Sequence, residues 1–260
     1  MSIKTLEEAK AYFIQMGCSN FHIDREDPVK REEYRSLKIS REKEAEWRKE
    51  QFQIGLEVIM NCDSKEIAGT YSTLKSLMAK DRKSLKSMLN ILDTLVNKIP
   101  VGGIHEMLNC IIGNNGYITH GGMIEIAFEI HSNNLAYRLI EYSKKLIDMA
   151  DSNQVPILSK RGYLVDILNH YRVKEDNNYI ERLTEKNDAE LFDYYFDGAK
   201  NGNIYSMRML AKHYYNGKGC EKDNEQALHW AKKAAELGND LALKEYKEIF
   251  ERITGESSEV

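Results

Sequence analysis

The last quarter of the chain repeats itself at a fixed spacing of 36 residues. The sequence Ala-Lys-Asn-Gly-Asn at residues 199–203 returns as Ala-Glu-Leu-Gly-Asn at residues 235–239. A spacing between about 20 and 50 residues is typical of units that cannot bury their apolar face alone and that stack into one continuous core. Such stacks usually bind other macromolecules, so the repeat indicates a class of function without naming the partner.

Each repeating unit has the start and stop signals of helices. Asp188 and Asp223 precede helical patterns, and their carboxylates are expected to cap free backbone N–H groups. Gly202 and Gly238 follow helical patterns, and we expect both to adopt the left-handed conformation that ends a helix. Between the two units lies a turn that contains two glycines. The spacing therefore predicts pairs of helices over residues 188–253.

Small residues and one large one share a face of these predicted helices. Alanine at helical spacing lets a neighbouring helix approach closely, and tryptophan fills the volume that remains. The predicted core of this segment consists of Leu210, Ala227, Trp230, Ala231 and Ala234.

This segment resembles the Sel-one-like repeat family, whose members are relatives of the tetratricopeptide repeats. The resemblance rests on Leu-Ala-Lys-His-Tyr-Tyr-Asn-Gly-Lys-Gly at residues 210–219 and on Asp223, Trp230 and Gly238 in register with them. Cys220 stands where the family usually has valine. The resemblance covers about residues 188–253, and it implies antiparallel helix pairs in a curved solenoid whose concave face takes protein partners.

The remainder of the chain has helical periodicity without a clean repeat. Apolar residues recur at helical spacing in segments separated by short connections, and no convincing alternation indicates a strand. The predicted fold is all-α, with stacked antiparallel helical hairpins that form a short α-solenoid. We predict an N-terminal helical region at 1–62 with an irregular loop at 17–27, degenerate hairpins at 63–186 and Sel-one-like repeats at 187–260.

Composition favours a soluble protein of the cytoplasm, of a bacterial type. The formal net charge of −4 gives no electrostatic reason to expect binding to nucleic acid or to an anionic membrane. The four cysteines are far apart and form no CxxC pair, so reduced thiols are expected. Neither an export signal nor an apolar run of about 20 residues is present.

The segment at residues 18–26 differs most from a repeat. Cys18 and His22 have the spacing of half a metal site, and Ser19, His22 and Asp24 are nucleophile, base and acid residue types. Structural zinc needs four ligands, and no second cluster follows. One interpretation is therefore a binding loop, and the alternative is an enzyme or toxin-like effector with its active site in this segment.

The sequence favours a protein–protein interaction module, such as an adaptor, regulator or inhibitor, over an enzyme. No catalytic constellation is complete, and we expect no cofactor, no metal, no nucleic acid and no membrane partner. Related solenoids place the first helix of each hairpin inside the curve, which here is the helix at residues 204–215. Aromatic and arginine side chains are common interface anchors. The candidate partner-binding residues are Tyr205, Arg208, Lys212 and Tyr215, followed by Phe21, His22 and Arg25.

Overall fold

A computed structural model of the chain describes residues 41–113, 122–237 and 240–255. The chain divides into two compact units, Met1–Ile157 and Leu158–Val260. Within the described ranges all regular structure is helical, and the predicted all-α class with packed helical hairpins is confirmed. The three-part division at residues 62 and 186 stays a prediction.

The first unit contains six α-helices in its described part. Buried aliphatic side chains come from every one of them, and the Tyr71 hydroxyl crosses the core to donate a hydrogen bond to the Met88 carbonyl at 3.3 Å. Asp81 begins one helix by accepting a hydrogen bond from the Ser84 amide at 2.7 Å. The helices are α1 Arg41–Asn61, α2 Ile67–Leu77, α3 Arg82–Leu95, α4 Ile104–Ile111, α5 Met123–Glu129 and α6 Asn133–Ser152.

The described part of the second unit contains five helices that pack on one another in chain order. They are α7 Lys160–His170, α8 Asn177–Lys200, α9 Ile204–Asn216, α10 Asn224–Glu236 and α11 Asp240–Thr254. Short connections make neighbours antiparallel, and α9 also contacts α11. The five residues of the predicted core (Leu210, Ala227, Trp230, Ala231 and Ala234) are all buried, which confirms that prediction.

Two helix ends of the repeat follow the predicted chemistry, and a third is capped by a neighbouring asparagine. Asp223 accepts hydrogen bonds from the backbone amides of Glu225 and Gln226, both at 2.9 Å, and so begins α10. Gly202 has a φ of 85° directly after α8, as predicted. Asn203 then begins α9 by accepting from the Ser206 amide at 2.9 Å. Gly238, for which the same conformation was predicted, lies outside the described residues.

The prediction that Asp188 begins a helix is wrong. Asp188 lies inside α8, which begins at Asn177 after its capping residue Asp176. The Asp176 carboxylate accepts a hydrogen bond from the Asn178 amide at 3.1 Å. No glycine or proline interrupts residues 177–197, so nothing in the sequence stops the helix before the position where the repeat pattern would begin one.

The turn between α9 and α10 packs closely against the middle of α8. Gly217 and Gly219 have φ values of 67° and 69°, in the left-handed region that glycine adopts without a steric penalty. A Cβ on Gly219 would overlap the carbonyl group of Asp188. His213 fixes the turn from the other side, because its Nδ1 lies 2.7 Å from the Lys218 carbonyl oxygen. Glycine at position 219 is therefore required by both backbone conformation and space.

Candidate partner-binding surface

The four C-terminal candidate residues all lie on α9. Tyr205, Arg208, Lys212 and Tyr215 are spaced by three, four and three positions, which places them along one side of the helix. The side chains that α9 buries are on its other side, and they include Met207, Leu210 and Ala211. The amphipathic pattern of α9 thus separates its core residues from the candidate surface.

Two of the candidates form an ion-pair network with α11. The Arg208 guanidinium donates two hydrogen bonds to the Glu245 carboxylate, from Nε to Oε2 at 2.5 Å and from Nη2 to Oε1 at 2.8 Å. The Lys212 ammonium donates to the same carboxylate at 2.7 Å. The side chains of Arg208 and Glu245 are only 13% and 15% exposed, so this network is partly shielded from water.

The network changes the acidity of its members. Hydrogen bonds from Arg208 and then from Lys212 stabilise the carboxylate and lower the pKa of Glu245 to about 2, although partial burial opposes them. The same contact raises the pKa of Arg208. Glu245 is therefore ionised throughout the physiological range, and its charge is compensated by two cations.

Tyrosine side chains extend this surface from α9 onto α8. Tyr205 is 52% exposed, its ring centroid lies 6.0 Å from that of Tyr195, and the Arg208 guanidinium lies 6.0 Å from the Tyr205 centroid. Tyr194, which is 54% exposed, packs edge-to-face on Tyr195 at 5.5 Å. The pKa of Tyr195 is raised to about 12, mainly by partial burial and to a smaller extent by a hydrogen bond with Tyr205.

These contacts are continuous from Tyr194 to Lys212. We call the set the tyrosine–arginine face, and it consists of Tyr194, Tyr195, Tyr205, Arg208, Lys212 and Glu245. Behind it, the His213 ring packs edge-to-face on Tyr195 with ring centroids 5.4 Å apart and lies 6.3 Å from the Phe192 ring, so inner rings support Tyr195. Tyr195, Tyr205 and Arg208 are each held by more than one contact.

Of the remaining sequence candidates, Tyr215 alone lies within the described residues, and it is not part of this face. Tyr215 is half-buried at the end of α9, where the Lys222 ammonium lies 5.3 Å from its ring centroid. Phe21, His22 and Arg25 lie outside the described residues, as does Cys18 of the half metal site. Within residues 41–113, 122–237 and 240–255, no three His, Cys, Asp or Glu side chains lie where they could hold a metal ion together.

Three members of the face, Tyr194, Tyr195 and Glu245, are not among the candidate residues drawn from the sequence. A signal for Glu245 did exist. The first helices of successive hairpins lie side by side, so residues about one period of 36 apart become neighbours, and Arg208 and Glu245 are 37 positions apart. Opposite charges at that separation predict an ion pair between repeats.

The stacked hairpins of the second unit define a helical-repeat protein. Residues 204–239 match the family model of the Sel1 repeat, which confirms the resemblance drawn from the sequence. The matched segment comprises α9, the turn after it and α10, and thus holds Tyr205, Arg208 and Lys212. Sel1 repeats are in general protein-interaction modules without catalysis of their own.

Comparison with solved structures finds a Sel1 repeat protein from Oxalobacter formigenes. It shares 19% sequence identity with this chain over 82% of this chain, with a TM-score of 0.32. The present chain spans 60% of the length of that protein. A comparison with curated proteins gives no significant match. None of the described helices is both long enough and apolar enough to cross a membrane.

Proposed function

We propose that this protein is a protein–protein interaction module, acting as an adaptor, regulator or inhibitor, and that it binds its partner on the tyrosine–arginine face. The observation that carries the proposal is the half-exposed Tyr205 beside the Arg208–Glu245 ion pair, connected through Tyr195 to a second exposed tyrosine, Tyr194. Exposed aromatic rings next to an ordered arginine have the composition of interface hot spots.

Preorganisation supports binding at this face more than exposed area alone does. Ordering a flexible side chain at an interface costs about 0.5–1.5 kcal/mol. Arg208 is already fixed by Glu245, and Tyr205 is packed between Tyr195 and Arg208. A partner therefore meets side chains that have lost much of their freedom during folding, and less of the binding energy is spent on ordering them.

We further propose that the protein works in the cytoplasm. Cys62 and Cys220 are free thiols in the described part of the chain, which suits a reducing compartment. A formal net charge of −4 gives a nucleic-acid partner no general electrostatic advantage. The enzyme alternative depends on residues 18–26, which the structure does not describe, and no described residue favours it.

The proposal is tested by identifying a partner and then measuring its affinity with purified components. Proteins that co-purify with the tagged chain from its native host are expressed separately, and binding is measured by titration calorimetry. Tyr205→Ala is expected to weaken binding by about 2 kcal/mol, as truncation of an interface anchor does. Tyr137→Ala is the matched control, because Tyr137 is 49% exposed but lies in the first unit. Equal affinities of both variants and wild type would place the interface elsewhere.

A charge reversal at Arg208 is a poor test of binding. A glutamate at position 208 would face Glu245 across the α9–α11 contact, and repulsion between two partly buried carboxylates would destabilise the second unit. Variants at Tyr205 and Lys212 remove partner contacts while leaving the Arg208–Glu245 pair in place.

A further inference from the structure

The part of the tyrosine–arginine face that lies on α9 and α11 has an excess of positive charge. Helix α9 contains no aspartate or glutamate, and its two basic side chains on this face are Arg208 and Lys212. Both contact the single carboxylate of Glu245, so the three charges sum to one positive charge. A charged group on a partner would therefore be attracted here if it were anionic and repelled if it were cationic.

The face also has more hydrogen-bond donors than acceptors. Both Glu245 carboxylate oxygens already receive N–H groups from Arg208 and Lys212. An ammonium carries three N–H donors, and the described hydrogen bond of Lys212 uses one of them, while the side chain is 42% exposed. The cations of the face thus retain donors whose complement is an acceptor on the partner.

The hydroxyl of Tyr205 adds one more donor. The Tyr205 hydroxyl interacts with that of Tyr195, which adds to the larger effect of partial burial in raising the pKa of Tyr195. A hydroxyl hydrogen rotates to suit its surroundings and the Tyr205 side chain is 52% exposed, so this hydroxyl can donate to a further acceptor on a partner. Tyr205 lies one helical turn before Arg208, at the exposed end of the same row of side chains.

We propose that the segment that binds this face is acidic, with an aspartate or glutamate carboxylate seated against Lys212 and an adjacent apolar side chain packed on the Tyr205 ring. This inference rests on the proposed function, and it specifies the chemistry of the partner. The remaining N–H donors of an ammonium match the oxygens of a carboxylate, and the face of an exposed ring matches an aliphatic group. A basic segment would be repelled by the excess positive charge of Arg208 and Lys212. A neutral polar segment would leave that charge uncompensated.

The test is a peptide array of matched triplets in which only one residue changes. Each short peptide carries a central Glu-Leu, Gln-Leu or Lys-Leu pair in otherwise identical flanks, and the labelled full-length chain is the probe. The best triplets are then measured in solution by fluorescence polarisation. The Glu peptides are expected to bind about tenfold more tightly than their Gln counterparts, because a hydrogen bond between two charged groups is the stronger kind. Rising salt should reduce that difference.

Variants of the protein link the preference to this face. Lys212→Met should remove the preference for Glu over Gln, whereas Tyr205→Phe, which keeps the ring, should preserve it. Lys232→Met is the control, because Lys232 is exposed on α10 and outside the face. Lys212→Arg keeps the charge, so it should keep the preference, and it separates a lost contact from a loss of stability, which circular dichroism monitors in every variant.

Each possible result decides the proposal. Equal binding of the Glu and Gln peptides, tighter binding of the Lys peptides, no binding of any triplet, or the same loss in Lys212→Met and Lys232→Met would each overturn it. If Gln or Lys peptides bind and Tyr205→Ala abolishes that binding, the face still binds a partner and only the acidic chemistry is wrong. The failure of this inference is therefore distinct from the failure of the proposed function.

Discussion

The Arg208 guanidinium on α9 donates two hydrogen bonds to the two carboxylate oxygens of Glu245 on α11, which is 37 positions later in the sequence. The pair joins the first helix of one hairpin to the corresponding helix of the next. It therefore ties two successive repeats together on the same surface where the exposed tyrosines lie. Stability of the repeat and geometry of the candidate surface depend on one contact.

Replacing Glu245 should destabilise the protein. In Glu245→Gln the loss of charged hydrogen bonds from Arg208 and Lys212 is expected to reduce the free energy of unfolding by about 2 kcal/mol at neutral pH. Urea denaturation followed by circular dichroism measures the change. Glu248→Gln is the control, because Glu248 is 51% exposed and lies 4.0 Å from Lys244. That variant should change stability by less than about 0.5 kcal/mol.

The same carboxylate predicts a dependence on pH. The folded-state pKa of Glu245 is about 2, below its ordinary value of 4.5, so its contribution is present above pH 4.5 and is lost as the pH falls toward 2. The stability difference between wild type and Glu245→Gln should therefore shrink between pH 4.5 and 2. A difference that stays constant over this range would show that the carboxylate is not held as described.

Substitutions at Gly219 and Gly202 distinguish two ways in which an added side chain destabilises the protein, backbone strain and steric overlap. Both have positive φ, but a Cβ on Gly202 meets no atom within 4 Å, whereas a Cβ on Gly219 overlaps the Asp188 carbonyl. Gly202→Ala is expected to cost about 1–2 kcal/mol for backbone strain alone. Gly219→Ala should cost more, because the turn must also move away from α8. Thermal melts of the two variants measure this order, and equal losses would argue against the close approach.

Trp230 is the largest side chain in the core between α10 and its neighbours. It is 8% exposed and packs among the alanines of α10 and the buried side chains of α9 and α11. Trp230→Ala is expected to lower the free energy of unfolding by about 3–5 kcal/mol, because the helices cannot close the cavity completely. Chemical denaturation tests this expectation, and Trp230→Phe should lose less. An unchanged unfolding midpoint in Trp230→Ala would show that the residue is not part of the core.

Two aspartates 35 positions apart, about one period, should respond differently to the same substitution. Asp223 caps α10 with two backbone hydrogen bonds, so Asp223→Ala is expected to cost about 1 kcal/mol. Asp188 lies inside α8, where alanine is a good helix former, and Asp188→Ala should not destabilise the helix start. Denaturation midpoints distinguish the two cases. A comparable loss in both variants would restore the helix boundary that the repeat pattern predicted.

The accuracy of the sequence interpretation depended on whether a signal was local. Asp223 and Gly202 act within one turn of the chain, so their roles were readable from neighbouring residues. The start of α8 was not readable in this way. The repeat pattern predicted that the helix begins at Asp188, whereas an uninterrupted run of helix-forming residues lets it begin at Asn177. Glu245 was missed because a charged residue on a helix is usually solvated. The signal for its partner is its sequence separation of 37 positions from Arg208, which is about one period.

Oxidative footprinting of tyrosine side chains, with and without the purified partner, tests the central claim most directly. Tyr194 and Tyr205 are 54% and 52% exposed in the second unit, and Tyr137 is 49% exposed in the first, so all three should be modified in the free protein. If the tyrosine–arginine face binds the partner, modification of Tyr194 and Tyr205 should fall in the complex while that of Tyr137 stays the same. Unchanged modification of Tyr194 and Tyr205 in a saturated complex would contradict the account.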